Sequence, residues 1–417
     1  NQRKRSIMRV DIAIVGAGTG GLAAATSLLK QNPKLTVTVF DPADEHYYQP
    51  GWTLVGSGLM PQEKTVRSMD SVIPKKVSWV QEAVTEFQPD SDFITLANGV
   101  DVTYKVLIVA PGLKVDYDAI PGLQDTLGHN GVSCNYRYDL ASYSWECIQN
   151  LKSGKAIFTQ PPMPIKCAGA PQKALYLAAD YWRQQGCLSD IDIEFRNAGA
   201  VLFGVAEFVP VLNSYIEKYG AQLKFNSNLI HVDGTNQIAT FQVTDAEGKI
   251  TEVEEHFDYL HAVPPQTSPD FIKNSPLSND AGWLDVNQDT LQHNTYANIF
   301  GLGDVISAPN AKTAAAVRKQ APVVARNIHQ LLNHTTPDYQ YDGYGSCPLT
   351  VERGKVVMAE FGYGGKLLPT IKGLDPTVPR SIWWAVKAKY LIPMYFDLML
   401  KGREILAIPE RAKTSNT

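Results

Sequence analysis

Two of the five cysteines lie in short segments rich in glycine, alanine and proline, where a thiol can meet a reactant. Cys167 lies in IKCAGAPQK, directly before a segment that is predicted to be a helix. A helix N-terminus with Lys166 and Lys173 nearby would stabilise a thiolate, the reactive form of cysteine. Cys347 lies in YGSCPL, which we predict to be a loop. The two could form a redox pair, or each could be a buried small apolar residue.

The other three cysteines have weaker signals. Cys147 lies on a segment predicted to be helical, which favours a place in the core, and Cys187 follows Gln-Gln-Gly in a predicted loop. Cys134, in GVSCNYRY, is a possible third redox thiol. No CxxC occurs, so the sequence encodes neither a local redox pair nor a zinc ribbon, and we expect no metal site.

A glycine-rich turn near the N-terminus has the spacing of a dinucleotide-binding loop. Gly16, Gly18 and Gly21 form GxGxxG between the apolar strand VDIAIV and the predicted helix GLAAATSLLKQ. The first glycine permits the tight turn, the second lets the backbone approach a pyrophosphate, and the third allows close helix–strand packing. Asp41 ends the next predicted strand, where an acidic residue binds the adenosine ribose.

Two later segments favour FAD over NAD at this loop. KVLIVAPG ends a predicted strand at Ala110-Pro111-Gly112, and NIFGLGD ends another at Gly303-Asp304. A carboxylate in that position reaches the ribityl and phosphate region in two-dinucleotide flavoproteins. The helix that follows, near Lys312 and Thr313, directs its positive end at the flavin and favours a negatively charged reduced ring.

A second nucleotide loop is missing from the middle of the chain. The predicted strand AIFT is followed by QPPMPIKCAGAPQ, whose prolines lack backbone N–H groups. The predicted strand IDIEF is followed by RNAGAVLFG, which contains no GxGxxG. We therefore expect that electrons do not come from a nicotinamide nucleotide.

The order of these elements predicts an α/β protein with two tandem Rossmann-like domains and a C-terminal membrane-interface region. We predict an FAD-binding domain over 8–120 and 285–334, a second Rossmann-like domain with a degenerate nicotinamide site over 121–284, and a C-terminal region over 335–417. The 417-residue chain carries a net charge of −4, which argues against a nucleic-acid partner.

The C-terminal region interleaves aromatic and basic residues in RSIWWAVKAKYLIPMYFDLMLKGRE. That pattern favours a helix or helical pair lying in a membrane interface. The alternative is an amphipathic helix docked on the protein's own core or on a second subunit.

The sequence resembles the sulfide:quinone oxidoreductases, especially the mitochondrial type and related bacterial members. The resemblance rests on HYYQPGWTLVGSG, IKCAGAPQK, AGWLDVNQDTLQH, NIFGLGDV, KTAAAV and YDGYGSCPL, in the family's order. It implies that Cys167 and Cys347 form a disulfide or sulfur-bridged pair that hydrosulfide attacks. Cys347 then keeps the persulfide, and Cys167 passes two electrons to the flavin.

The same resemblance implies partners and a location. Electrons would pass from FAD to ubiquinone or another membrane quinone, and glutathione or sulfite would accept the sulfur. The C-terminal region would give the quinone a path to the flavin, with Phe361, Trp384 and Lys387 as candidates for its site. The enzyme would lie peripherally on a bacterial cytoplasmic membrane or the mitochondrial inner membrane, with a homo-oligomer possible. The candidate FAD contacts are Gly16, Gly18, Gly21, Asp41, Gln49, Pro50, Trp52, Ala83, Ala110, Pro111, Gly112, Gly303, Asp304, Lys312 and Thr313.

Three alternatives stay open at this point. The flavoprotein subunit of a flavocytochrome c sulfide dehydrogenase would share the two thiols, but the aromatic and basic C-terminal region favours quinone over a haem partner. A type II NADH:quinone dehydrogenase is disfavoured by the missing second glycine loop. A non-catalytic flavin-binding partner protein would use the cysteines only as structural residues.

Overall fold

The computed structural model describes residues 6–404 and 406–413 of the chain. Numbered along the chain, its strands are β1 (Ile7–Val15), β2 (Val37–Phe40), β3 (Glu45–Tyr47), β4 (Val66–Ser68), β5 (Val77–Val80), β6 (Val84–Gln88), β7 (Phe93–Leu96), β8 (Asp101–Val109), β9 (Lys114–Val115), β10 (Val132–Ser133), β11 (Gly154–Gln160), β12 (Ile191–Asn197), β13 (Gln222–Lys224), β14 (Ser227–Asp233), β15 (Ile238–Thr244), β16 (Ile250–His256), β17 (Tyr259–His261), β18 (Gln266–Thr267), β19 (Ile299–Gly301), β20 (Tyr339–Gln340), β21 (Gly345–Glu352), β22 (Lys355–Phe361) and β23 (Glu410–Arg411).

Helices connect these strands. The α-helices are α1 (Thr19–Gln31), α2 (Trp52–Val55), α3 (Met69–Val72), α4 (Tyr138–Asn150), α5 (Ala170–Gln184), α6 (Val209–Lys218), α7 (Asp270–Lys273), α8 (Ala314–Leu332), α9 (Ser381–Ala385) and α10 (Leu391–Pro393). Short 3-10 turns are Gln49–Gly51, Gln62–Thr65, Pro89–Ser91, Tyr117–Ala119, Leu188–Asp190, Ala206–Phe208, Tyr363–Gly365 and Met399–Lys401, and the wider π segments are Val386–Tyr390 and Met394–Leu398.

The first sheet has seven strands in the order β5-β2-β1-β8-β7-β6, with β19 also paired to β8. The pairs that join β5, β2, β1, β8 and β19 are parallel, and β6 and β7 add an antiparallel edge. Helices α1 and α8 pack against each other. Since the carboxyl ends of parallel strands share one edge, the residues after β1, β2, β8 and β19 meet there.

The second sheet has five parallel strands in the order β10-β17-β11-β12-β13. Helix α5 follows β11 and buries Leu175, Tyr176 and Trp182 in the apolar core on this sheet. Beside it, β15 and β16 form the hairpin that the Asp-Ala-Glu-Gly turn predicts. Two parallel sheets with packed helices confirm the predicted α/β class, and the domain limits stay a prediction.

The hairpin of β21 and β22 packs on α5 and the second sheet, although it lies near the C-terminus of the chain. Leu349, Val351, Val357 and Ala359 belong to the same buried core as α5. The predicted loop at Cys347 is wrong, because Cys347 lies inside β21 and pairs with Ala359. Its apolar neighbours at alternate positions bury one face of that strand, and this outweighs the Gly-Ser-Cys-Pro composition.

The aromatic and basic segment near the C-terminus forms a helical run from Ser381 to Lys401 with two π segments. Pro393 lies within this run and cannot donate a backbone hydrogen bond, which is consistent with the irregular helix. Within residues 6–404 and 406–413, no helix is both long enough and apolar enough to cross a membrane.

Candidate functional site

The glycine-rich turn between β1 and α1 has the three properties that its spacing predicts. Gly16 has a φ of 97°, and a Cβ there would lie 2.3 Å from the Ala110 carbonyl oxygen. A Cβ on Gly21 would lie 1.8 Å from the Gly16 carbonyl oxygen, so this position packs helix against strand. A Cβ on Gly18 would meet nothing within 4 Å, which leaves its backbone open to a ligand.

Asp41 is fixed beside this turn. Its carboxylate accepts hydrogen bonds from the Ala17 amide at 2.8 Å and the Ala43 amide at 2.9 Å. Because β1 and β2 are neighbouring parallel strands, Asp41 and the glycine turn share one edge of the first sheet. The carboxylate is therefore held where an adenosine ribose would lie.

A cavity of about 370 Å³ opens at this edge. The predicted FAD contacts that line it are Gly16, Gly18, Asp41, Gln49, Pro50, Trp52, Ala110, Pro111, Gly112, Gly303, Asp304, Lys312 and Thr313. Residues Gly21 and Ala83 are not in the lining: the first lies behind the turn, and the second accepts a backbone hydrogen bond from Ala97 between β5 and β6.

The candidate quinone residues are divided between the cavity and the core. Lys387 lines the cavity. Phe361 packs edge-on against Phe203, and Trp384 packs with the apolar cluster around Trp52, both outside the cavity lining. In their place, Leu391, Met394, Leu398 and Met399 of the C-terminal run give the cavity an apolar wall.

Two buried polar atoms in the cavity wall lack partners among the described residues. They are the indole Nε1 of Trp52 and the Oδ1 of Asn135. Leaving a buried donor or acceptor unpaired is costly, so such atoms indicate a polar ligand. Together with the open Gly18 and the helix N-terminus at Thr313, they fit a flavin dinucleotide.

The loop after β19 places opposite charges at the cavity. Lys312 donates to the carbonyl oxygens of Asp304 at 2.8 Å and Ile306 at 3.0 Å, and its ammonium lies 4.4 Å from the Trp283 ring centre. Burial lowers the pKa of Lys312 to about 8, against the opposing effect of Asp304. Burial also raises the pKa of Asp304, while Lys166 and Lys312 counteract the shift.

Cys167 is held at the cavity in a left-handed backbone conformation, with a φ of 49°. Its amide donates to the Lys312 carbonyl at 2.9 Å, and its own carbonyl accepts from the Ala170 amide at 2.8 Å and the Tyr136 hydroxyl at 3.1 Å. Such a conformation costs energy in a non-glycine residue and persists only where its surroundings fix it. These three hydrogen bonds fix the thiol on the cavity wall.

The two predicted thiols meet. Cys347 is 3% exposed, and its thiol hydrogen-bonds to the Cys167 sulfur. This bond, together with the ammonium groups of Lys173 and Lys387, lowers the pKa of Cys167. The same bond and burial raise the pKa of Cys347. The arrangement therefore favours the thiolate form at Cys167 and the protonated thiol at Cys347.

Two buried lysines supply the positive charge. The Lys173 ammonium donates to the Cys167 sulfur at 3.2 Å and is 1% exposed. Burial lowers its pKa, but the two neighbouring sulfurs outweigh that effect and raise it overall. Lys387 is 3% exposed, and burial and repulsion from Lys173 lower its pKa to about 7. Of the two lysines, Lys173 therefore keeps its charge at neutral pH, whereas Lys387 gains or loses its charge there.

Cys134 lies apart from this pair. It is fully buried, it is not in the cavity lining, and burial raises its pKa to about 11. The Tyr117 hydroxyl donates a hydrogen bond to its sulfur at 3.8 Å. Cys147 and Cys187 are partly buried in the second core.

Sequence reasoning missed several residues at the cavity. Tyr48, Asn135, Tyr136 and Tyr395 all line it. Tyr48 lies inside the HYYQPGW segment and could have been found there. Asn135 and Tyr136 directly follow Cys134, and Tyr395 lies in the aromatic and basic C-terminal segment, but only the fold brings them together at the cavity.

Comparison with known proteins places these features in a known context. The family model for pyridine nucleotide-disulphide oxidoreductases matches residues 10–147. The mitochondrial sulfide:quinone oxidoreductase of Mus musculus is 36% identical over 392 residues, covering 94% of this chain and 86% of the mouse protein. The mitochondrial sulfide:quinone oxidoreductase of Dictyostelium discoideum is 38% identical over 415 residues, covering 96% of this chain and 88% of its own.

A solved structure has the same fold. The sulfide:quinone oxidoreductase from the hyperthermophilic bacterium Aquifex aeolicus superposes with a TM-score of 0.78 at 17% identity. The match covers 94% of this chain and 92% of the Aquifex chain. The arrangement of the two sheets is therefore one that a known oxidoreductase shares.

Proposed function

The chain belongs to the sulfide:quinone oxidoreductase family, and from this premise we propose that it oxidises hydrogen sulfide through the Cys167–Cys347 pair and reduces a membrane quinone. It is a flavoprotein enzyme whose cofactor is FAD. The observation that carries the proposal is the position of the Cys167 sulfur on the wall of the dinucleotide cavity, hydrogen-bonded to Cys347 and to the ammonium group of the buried Lys173.

The thiol pair performs the sulfur chemistry. In the oxidised pair, hydrosulfide attacks the Cys347 sulfur, the S–S bond breaks, and Cys167 leaves as a thiolate while Cys347 carries the persulfide. An acceptor thiolate or sulfite then takes the outer sulfur and leaves Cys347 as a second thiolate. Removal of two electrons from the two thiolates restores the disulfide. FAD, when bound, takes those two electrons and passes them to the quinone.

The lysines make Cys167 the better leaving group. A thiol of lower pKa leaves faster in thiol–disulfide exchange, and Lys173 and Lys387 lower the pKa of Cys167. Cys347 has a raised pKa and does not line the cavity, so it is suited to hold the persulfide while Cys167 faces the flavin. Cys134 is neutral and buried away from the pair, so we propose a two-thiol mechanism.

The candidate FAD contacts divide by position. The glycine turn and Asp41 would hold the pyrophosphate and adenosine, while Asp304 and the N-terminus of α8 at Thr313 would hold the ribityl chain and ring. Trp52 and Asn135 would pair their free polar atoms with the cofactor. The domain limits 8–120 with 285–334, 121–284 and 335–417 fit this division.

The C-terminal region carries the surface that would contact the membrane. Exposed apolar residues and cations alternate there: the apolar set is Ile371, Leu374, Val378, Ile382, Tyr390 and Met394, and the basic set is Lys372, Lys389 and Lys401. Such a surface suits a bilayer interface. We propose a peripheral protein of the mitochondrial inner membrane, since the matched relatives are named mitochondrial, with ubiquinone as acceptor and glutathione or sulfite as sulfur acceptor.

An anaerobic titration tests the function. Purified FAD-loaded protein should lose its flavin absorbance when sulfide is added and regain it with a short-chain quinone. Cys167→Ser and Cys347→Ser should keep FAD but not respond to sulfide, while Cys187→Ser, which alters a partly buried thiol outside the pair, should respond like the wild type. Loss of absorbance with NADH but not with sulfide would refute the proposal.

A further inference from the structure

The C-terminal run lies along the whole cavity. At one end Lys387 lines the cavity together with Cys167, and at the other end Tyr395 reaches the glycine-rich turn. Between them, Leu391 and Met394 form part of the cavity wall. Residues 381–404 are here called the strap. A dinucleotide in the cavity would therefore lie under the strap from its flavin end to its pyrophosphate end.

A directed chain of hydrogen bonds ties the strap to the glycine turn. The Nδ1 of His46 lies 3.1 Å from the Ala17 carbonyl oxygen, which can only accept, so Nδ1 carries the proton. The Nε2 of His46 is then an acceptor and receives the Tyr395 hydroxyl proton. The Tyr395 oxygen in turn accepts from the Thr19 hydroxyl at 2.7 Å.

This chain of hydrogen bonds holds the strap in place and does not conduct protons. It ends at a backbone carbonyl, which has no proton to pass on. Burial lowers the pKa of His46 to about 4, so the ring stays neutral and keeps the required tautomer over the physiological range. His46 and Tyr395 are 2% and 4% exposed, so water does not replace a lost partner easily.

A second fastening lies at the end of the strap. Glu404 accepts from the Ser27 hydroxyl at 2.7 Å on α1 and from Arg326 at 3.1 Å on α8. Gly402 has a φ of 77°, and a Cβ there would lie 3.0 Å from Thr26, so the backbone lies directly on α1. The strap is thus tied to both helices that carry the predicted cofactor loops.

We propose that the strap retains FAD, and that Tyr395 is the positioning residue that holds it closed over the dinucleotide cavity. This proposal depends on one part of the proposed function, which is that FAD occupies the cavity. Because bound FAD and a closed strap favour each other, loosening the strap must weaken the binding of FAD, and we expect the weaker binding to appear as faster release. Conversely, bound FAD must protect the strap from opening.

The test compares Tyr395→Phe with Tyr390→Phe, which removes a hydroxyl from an exposed tyrosine of the same strap. Tyr395→Phe leaves His46 Nε2 and the Thr19 hydroxyl without their partner, and we expect about tenfold faster FAD release, followed by the fluorescence of free FAD. Trypsin should also cut FAD-loaded Tyr395→Phe faster at Lys389, Lys401 or Arg403. Tyr390→Phe should match the wild type in both assays.

Three results would overturn the proposal. Release of FAD from Tyr395→Phe at the wild-type rate would show that the strap does not retain the cofactor. Faster release with unchanged cleavage would show that the hydroxyl acts on the glycine turn alone. Glu404→Gln, which weakens the second fastening, should also speed both processes, and wild-type behaviour there contradicts a closed strap. Neither assay needs sulfide or quinone. If the protein did not oxidise sulfide, both assays would therefore still test whether the strap retains FAD.

Discussion

Replacement of Lys173 by methionine tests the electrostatic origin of the Cys167 thiolate. Lys173 is the cation with a direct contact to the Cys167 sulfur, at 3.2 Å, and it is fully buried on the first turn of α5. Methionine keeps an unbranched side chain of similar length and removes the charge. We expect the pKa of Cys167 to rise, because the thiolate loses its nearest positive charge.

The size of the rise follows from Coulomb's law. At 3.2 Å and an effective dielectric of about 20, one charge pair is worth about 5 kcal/mol, or roughly four pKa units. At the dielectric of water the same pair is worth about 1.3 kcal/mol, or about one unit. Burial of Lys173 and Cys347 excludes the aqueous limit, whereas the remaining Lys387 charge reduces the net change. We therefore expect a rise of about two to three units.

The assay is the rate of iodoacetamide alkylation of Cys167 in the reduced protein across pH, read by mass spectrometry of its peptide. Wild-type protein should react at full rate at neutral pH, and Lys173→Met should need a pH higher by the expected rise. Lys366→Met, which removes an exposed lysine, is the matched control. Superposed profiles for Lys173→Met and wild type would refute the argument and leave the Cys347 hydrogen bond as the cause.

Three further changes have expected outcomes. Gly16→Ala should lower the melting temperature, because its Cβ would meet the Ala110 carbonyl, whereas Gly18→Ala should stay folded and lose FAD affinity in a fluorescence titration; equal melting losses would contradict this. Cys134→Ser should keep wild-type sulfide turnover, because its thiol is buried outside the cavity, and loss of turnover would make it a third redox thiol. The pKa of Lys387 is about 7, so its charge is present below that pH and lost above it. The rate of flavin reduction, divided by the concentration of hydrosulfide ion, should fall as the pH rises through 7, and Lys387→Met should abolish that pH dependence. A pH profile that Lys387→Met leaves unchanged would show that the Lys387 charge is not its cause.

Local patterns predicted part of the site well. The glycine turn, its strand and helix, and Asp41 follow from contiguous residues, because one strand–turn–helix unit positions them all. Cys167 before α5 was predicted in the same way. Each of these features depends on the backbone geometry of a short segment, and contacts with distant parts of the chain change that geometry little.

The remaining parts of the site depend on contacts between distant segments. Cys347 was assigned to a loop because Gly-Ser-Cys-Pro has turn composition, yet burial of the β21 face against α5 makes it a strand residue. Lys387 was placed in a quinone site on the pattern of cations and aromatics, whereas the fold brings it beside the two thiols. His46 begins the HYYQPGWTLVGSG segment, but that segment does not indicate its role, which depends on Tyr395, 349 residues away.

The N-terminus of α5 also shows what occupies the place where the sequence predicts a degenerate second nucleotide site. In a nucleotide-binding unit, a glycine at this place lets a pyrophosphate approach the first turn of the helix. Here a Cβ on Gly169 would lie 2.6 Å from the Cys347 sulfur and 2.5 Å from the Leu349 side chain. The space over the helix N-terminus is therefore filled by β21. The small residue that would admit a phosphate instead admits the second sulfur, and the cations there are Lys173 and Lys387, which stabilise a thiolate. A pyrophosphate could approach this helix N-terminus only by displacing the strand that carries Cys347, which supports the expectation that electrons do not come from a nicotinamide nucleotide.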